Sequence, residues 1–176
     1  MKRKAVFVSI LLMLSCTLSA KVSYQPSLTF STGGVFTYKF DDMLRSSYSA
    51  RMELDPIAIQ FKDTHTISIP IYITYVSRTP FFDGYCLNSH MDFGLGLSYR
   101  YTFNPSFSLK TVTDMNFRFV PDVHGAIYAW GVTIEPWYHF NSKIAIAAPL
   151  RVGGTKGEVS LAPSLCLVIT PNGAAL

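Results

Sequence analysis

Between His65 and Ser77 the chain alternates strictly. Ile67, Ile69, Ile71, Ile73 and Tyr75 share one parity, and Thr66, Ser68, Pro70, Tyr72 and Thr74 take the other. Successive side chains of an extended chain point to opposite faces, so this run predicts a strand with one apolar and one polar side. It is about twice the usual strand of 5–6 residues. It matches the roughly 9–11 residues that a tilted strand needs to cross a hydrocarbon layer. The same period recurs along the chain and predicts eight strands, at 24–36, 48–61, 65–77, 90–102, 106–119, 125–140, 143–152 and 158–170. In the fourth, Met91, Phe93, Leu95, Leu97 and Tyr99 oppose Asp92, Gly94, Gly96, Ser98 and Arg100. The second changes phase at Asp55-Pro56, where a β-bulge is expected.

The connections come in two kinds. Lys62-Asp63-Thr64, Asn104-Pro105 and Asn141-Ser142 make tight turns after the second, fourth and sixth strands. Longer polar segments follow the first and third, at 39–47 and 78–89, with short loops after the fifth and seventh, the last of these at 153–157. An even-stranded meander with minimal turns at one end and longer loops at the other predicts an all-β, eight-stranded antiparallel up-and-down transmembrane β-barrel. Pairing of the first and last strands would remove the open edges that lipid does not tolerate.

Charge follows the same parity. The polar faces carry Arg51, Glu53, Asp55, Asp92, Arg100, Lys110, Asp114, Arg118, Glu135, Lys143, Arg151 and Glu158, six basic and six acidic groups, and the apolar faces from 48 to 170 carry none. A soluble barrel or sandwich also alternates, but it turns the polar side to water and seldom uses so few lysines; after position 21 only Lys39, Lys62, Lys110, Lys143 and Lys156 occur. Tyr99, Tyr101, Phe107, Tyr138 and Phe140 gather beside the short turns, where an aromatic girdle belongs. The reading is therefore a polar lumen inside a lipid-facing wall, its twelve charges paired in a lumen network.

The N-terminus changes the picture of net charge. Lys2, Arg3 and Lys4 precede an apolar run from Ala5 to Leu14, too short to span a membrane as a helix, and small and polar residues to Ala20. This reads as a secretory signal over 1–20, cut before Lys21, with the barrel over 21–176. The alternative is a lipoprotein signal acylating Cys16. The formal charge of +4 is then misleading: without those three residues, 12 basic side chains face 11 acidic ones. No basic tract remains for nucleic acid. Cys86 and Cys166 fall at opposite ends of the predicted barrel, farther apart than a disulfide reaches, so both are expected free.

With this pattern in hand, the chain resembles the small eight-stranded outer-membrane barrels of the OmpW, OmpX and OmpA membrane-domain type, over about 24–170. It differs in ending its last strand Leu167-Val168-Ile169-Thr170 rather than on an aromatic residue. The resemblance implies residence in the cell outer membrane with loops at the surface. It also implies contact with outer-membrane lipid and with the outer-membrane assembly machinery.

Two places offer function. The lumen is a narrow polar channel or a plugged interior, with Gly94, Gly96, Gly131, Ala145, Ala147 and Ala162 leaving space in it. At the upper end Phe81, Phe82 and Tyr85 form surface-loop contacts for a host ligand or a small hydrophobic solute, or fold down over the rim. Histidines near carboxylates and serines (His139 with Glu135 and Ser142, His90 with Ser89 and Asp92, His124 with Asp122) have no diagnostic catalytic spacing. No metal-ligand spacing and no nucleotide loop occurs, so neither enzyme activity nor a cofactor is expected. A structural or surface-interaction role is the expectation; the alternative is OmpW-like passage of small, hydrophobic molecules.

Overall fold

The structure is a computed structural model that describes residues 22–39, 44–82, 85–121 and 125–172. The predicted signal, including Cys16, lies outside them, as do Asp122 and His124. The described chain forms eight staves. They are β1 (Val22–Tyr24 and Ser27–Lys39), β2 (Arg45–Asp55 and Ala58–Phe61), β3 (His65–Ser68 and Ile71–Val76), β4 (His90–Asn104), β5 (Phe107–Phe119), β6 (Ile127–His139), β7 (Ile144–Ala147 and Leu150–Thr155) and β8 (Glu158–Ile169). Each pairs antiparallel with the next. β8 returns to β1, from Glu158 opposite Lys39 to Ile169 opposite Leu28, and closes an eight-stranded antiparallel barrel. Closure leaves every stave with two partners, which is the condition for a sheet in a medium that offers no hydrogen bonds.

The four divided staves share a cause. The breaks fall at Gln25-Pro26, Pro56-Ile57, Ile69-Pro70 and Ala148-Pro149. A proline has no N–H for the ladder and interrupts the strand where it stands. The neighbours bridge the gaps: Gln25 N–H donates to Ala58 O at 3.0 Å, Ile69 N–H to Ile57 O at 3.0 Å and Gly96 N–H to Pro70 O at 2.9 Å. Met52, Leu54, Ile57 and Ile59 all face outward, so the bulge at Asp55-Pro56 preserves the apolar face despite its change of phase.

One boundary differs from expectation. β7 does not end at Val152 with a turn over 153–157. It runs on through Gly153 and Gly154 to Thr155, and Lys156-Gly157 alone make the hairpin, Gly157 with φ +103°. Paired glycines read as a turn in sequence; here they permit close approach. A Cβ on Gly154 would lie 2.2 Å from Glu158 O, and one on Gly153 2.4 Å from Trp130 O.

The exterior is apolar. Leu95, Leu97, Met115, Val132, Ile134, Leu150, Leu161 and Leu165 form an aliphatic band on the outer wall, all exposed, with Leu97 and Leu165 about 60% so. Aromatic residues flank it at both ends: Tyr38, Tyr48, Tyr75, Phe119 and Tyr128 beside the longer loops, and Tyr24, Tyr99, Phe103, Phe107, Tyr138 and Phe140 beside the short turns. Polarity is inside: Glu53, Asp55, Asp92, Arg100, Lys110, Asp114 and Glu135 are all buried. No water-soluble protein gains by exposing such a continuous greasy surface while burying its charges. The wall is built for hydrocarbon.

Candidate functional site in the barrel interior

The closed lumen is the place where chemistry concentrates, and parity puts it there. Charged residues sit on the face opposite the isoleucines and leucines, so closing the sheet with the apolar side outward turns them all inward. They settle in layers. At the loop end, Arg118 of β5 donates to Asp92 of β4 (Nε to Oδ1, 3.1 Å) and across the opening to Glu158 of β8 (Nη1 to Oε1, 2.5 Å). His90 Nε2 lies 4.0 Å from Asp92 Oδ1.

In the middle layer Asp114 accepts the Tyr72 hydroxyl at 2.6 Å and Arg151 Nη2 at 2.7 Å. The Arg51 guanidinium stacks 3.6 Å from the Tyr72 ring centroid and pairs with Glu53. Two glycines make this layer fit. A Cβ on Gly94 would come within 2.3 Å of Tyr72 Cζ, and one on Gly131 within 2.2 Å of Arg151 Nη2. The space expected at these glycines is therefore filled by side chains from neighbouring staves.

Below it, Lys110 Nζ donates to Glu53 Oε1 at 2.6 Å and Asp55 Oδ2 at 2.8 Å. Asp55 also accepts Ser27 and Ser68 hydroxyls at 2.9 and 2.8 Å. Buried ions persist only when their remaining lone pairs and protons are also satisfied, and here they largely are. Trp137 completes the obstruction. Its ring packs with Ala145, Ala147, Cys166 and Val168, an apolar plug inside the polar lumen. Its Nε1–H donates to Glu135 Oε2 at 3.1 Å, and Arg100 lies 5.0 Å over the ring. Arg100 itself donates to Gln25 Oε1 at 3.0 Å and Thr66 Oγ1 at 3.3 Å.

The layers do not fill the lumen evenly. β1, β7 and β8 present small side chains, among them Ser31, Ser160, Ala162 and Ser164, and between that wall and Arg51, Arg151 and Glu135 a chamber of about 60 Å³ remains. A second pocket of about 10 Å³, beside Ser27, Ser98 and Trp137, lies toward the short turns. Lys110, Glu53 and Trp137 separate them.

Eleven of the twelve charges read as luminal line this interior. Lys143 does not: it is exposed in the turn before β7, because β7 begins only at Ile144. Sequence reading weighed charges and missed their uncharged partners Tyr72, Gln25, Ser27, Ser68 and Trp137, although all share the inward parity. His139 hydrogen-bonds Ser108 at 2.8 Å, and Glu135 is engaged by Trp137. Cys86 and Cys166 are both free thiols.

Phe81, Phe82 and Tyr85 lie in the connection after β3, which folds over the outside of the rim. Phe81 packs on the outward rings of Phe36 and Tyr48, with centroids 5.6 and 4.8 Å away, and covers Gly34. Ser46 N–H to Tyr85 O (3.0 Å) and Leu87 N–H to Ser47 Oγ (2.9 Å) hold the segment against β2. Phe82 and Tyr85 stay exposed.

No family model matches the sequence, and no curated protein matches it either. Solved structures do. Neisserial surface protein A (NspA) superposes with a TM-score of 0.58 at 13% identity, over 85% of this chain and 98% of that one. Ail, the attachment invasion locus protein of Yersinia pestis, gives 0.58 at 8% identity, over 84% and 99%. Ail in complex with the heparin analogue sucrose octasulfate gives 0.56 at 8% identity, over 84% and 99%. At these identities the likeness is one of fold: the chain is an all-β barrel of the small eight-stranded outer-membrane type.

Proposed function

We propose that this protein is an integral outer-membrane barrel with a structural or surface-interaction role, and that its lumen is not an open pore. The observation that carries this reading is the interior: among the described residues, three layers of ion pairs and the Trp137 plug divide the lumen into separate pockets of about 60 Å³ and about 10 Å³. A conducting path needs a continuous wet column, which these layers interrupt. Its fold neighbour Ail is the attachment invasion locus protein of Yersinia pestis, and exposed Phe82 and Tyr85 supply an aromatic contact surface at the same end of the barrel as the longer loops. Outer-membrane lipid surrounds the wall, the assembly machinery inserts it, and a host ligand meets the loops. No catalytic role is part of this reading. The test pairs planar-bilayer recording with adhesion of cells displaying the full chain. Silence in the bilayer, with adhesion lowered by Phe82→Ser and Tyr85→Ser, supports the proposal; steady conductance or solute uptake refutes it.

A second reading, passage of small hydrophobic molecules, has one observation in its favour. An apolar groove of about 350 Å³ opens near the loop end between Tyr75, Met91, Phe93 and Phe119. Uptake of a hydrophobic dye by vesicles, lost in Met91→Trp, is its signature.

A further inference from the structure

We propose that the segment from Tyr85 to Ser89 is a strap that stops the loop-end mouth of the lumen, with Leu87 as its stopper, and that releasing it opens the larger chamber to the outside. The connection straddles the rim. Phe81 packs outside it, on Phe36 and Tyr48. Leu87 packs inside it: this residue is 7% exposed and forms one buried cluster with Val35 of β1 and Val76 of β3, with Ala162 of β8 against them. Val35, Val76 and Ala162 all line the chamber. Leu87 N–H donates to Oγ of Ser47, a fully buried residue of β2 that stands opposite Val35 in the ladder. The two valines explain the choice of stopper. They sit on the inward parity of a lumen lined mostly by hydroxyls, carboxylates and guanidiniums, and apolar surface there gains by being covered with another apolar group.

The attachment of this strap is slight. Each stave makes a hydrogen-bond ladder with two neighbours, whereas Tyr85 makes a single parallel bridge to Arg45 and residues 86–89 lie in no strand. Ser46 N–H to Tyr85 O and Leu87 N–H to Ser47 Oγ fasten it at the rim. Tyr85 and Asn88 are exposed and Cys86 is half-buried, so the apolar anchorage rests on Leu87. Segments with few ladder bonds and one buried anchor open at a much lower free energy than the sheet that carries them. On the other side of the mouth Arg118 bridges Asp92 and Glu158, a closure carried by staves rather than by a connection. Beneath the chamber Lys110, Glu53 and Trp137 stay in place, so lifting the strap makes a blind vestibule and not a pore. Cys166 lines that vestibule at 4% exposure and reports its opening.

The test is thiol labelling of the full mature barrel in lipid vesicles with methyl methanethiosulfonate, a small neutral reagent, quantified at each cysteine by peptide mass. Half-buried Cys86 is the internal control for reagent supply. This assay reads the mouth alone, and the bilayer recording above reads the layers beneath it. The proposal expects Cys166 to label far more slowly in the folded barrel than in the urea-unfolded chain. Leu87→Ser should raise that rate roughly ten- to a hundredfold, the change in an opening equilibrium that corresponds to one buried leucine. Ser47→Ala, which removes the acceptor of Leu87 N–H, should raise it less, and Leu87→Met should stay close to the parent. Ser47→Ala decides the matter if Leu87→Ser lacks the heat-modifiable migration of a folded barrel. Leu97→Arg, which burdens the outer wall of β4 and leaves the strap intact, should not change the Cys166 rate. Equal Cys166 rates in the parent, Leu87→Ser and Ser47→Ala overturn the proposal. A parent rate matching the unfolded chain overturns it too, as does a rise in Leu97→Arg as large as that in Leu87→Ser.

Discussion

Lys110→Met is the substitution that weighs the buried charge layer most sharply. Met keeps the length and slenderness of the lysine stem and removes only its ammonium. The nitrogen is 2.6 Å from Glu53 and 2.8 Å from Asp55, and all three residues are nearly fully buried. Removing one partner of a buried ion pair typically costs about 3–5 kcal/mol, because the other charge is left in a poor solvent. Here two carboxylates lose their cation together. Glu53 keeps Arg51, and Asp55 keeps two serine hydroxyls, which hold the cost within that range rather than doubling it. The assay is urea unfolding of the barrel in lipid vesicles, read by tryptophan emission and by heat-modifiable migration. The predicted result is a large fall in the midpoint with little change in slope, since the surface exposed on unfolding is unaltered. Adding Asp55→Asn to Lys110→Met should return most of the loss, because the remaining carboxylate, Glu53, keeps Arg51 and the new amide keeps its serine partners, so neither side chain is left an unpaired charge. A loss below about 1 kcal/mol, the ceiling of most exposed pairs, would show that the layer is wet and that the closed-lumen account is wrong.

The outer wall should respond to charge by depth. Leu97→Arg, in the middle of β4, should cost about 2–4 kcal/mol in vesicle unfolding, and Tyr38→Arg, near the rim, about 0–1 kcal/mol; equal costs would deny a membrane around the wall. Gly131→Val places carbon where the Arg151 guanidinium lies, so it should eject Arg151 from Asp114 and destabilise by about 1–3 kcal/mol. Combining Gly131→Val with Arg151→Ala should relieve the clash, and a fully additive double variant would contradict that packing.

Two-residue alternation carried most of the architecture because the barrel must sort side chains by parity alone. Ile67, Ile69 and Ile71 read as outward in sequence, and all three are exposed on the wall. Closure was legible from the turns, because an even meander with no helix has one way to hide its edges. The proline breaks were less so. A proline can end a strand or merely nick it, and only the neighbouring staves, whose N–H groups reach the Ile57 and Pro70 carbonyls, decide between the two. The same ambiguity misplaced Gly153 and Gly154, which look like turn residues and serve as strand positions where other backbone comes close. Which charges are luminal was readable from parity, except at a strand end: Lys143 keeps the right parity but lies one residue outside β7. How they pair was not readable, since Arg118 meets Glu158 across the lumen and spacing along the chain carries no record of that. Nor did sequence reveal that Phe81 turns back onto Phe36 and Tyr48, a contact set by the path of an irregular loop.

The two tryptophans offer the most direct measurement of the inverted barrel. Trp130 is 46% exposed on the wall, and Trp137, seven positions on in the same stave, is 1% exposed in the lumen. Single-tryptophan variants Trp137→Phe and Trp130→Phe in vesicles with brominated acyl chains report each in turn. The account predicts strong quenching of Trp130 by the lipid and almost none of Trp137. Quenching of Trp137, or Trp130 quenched by aqueous acrylamide and not by lipid, would contradict it.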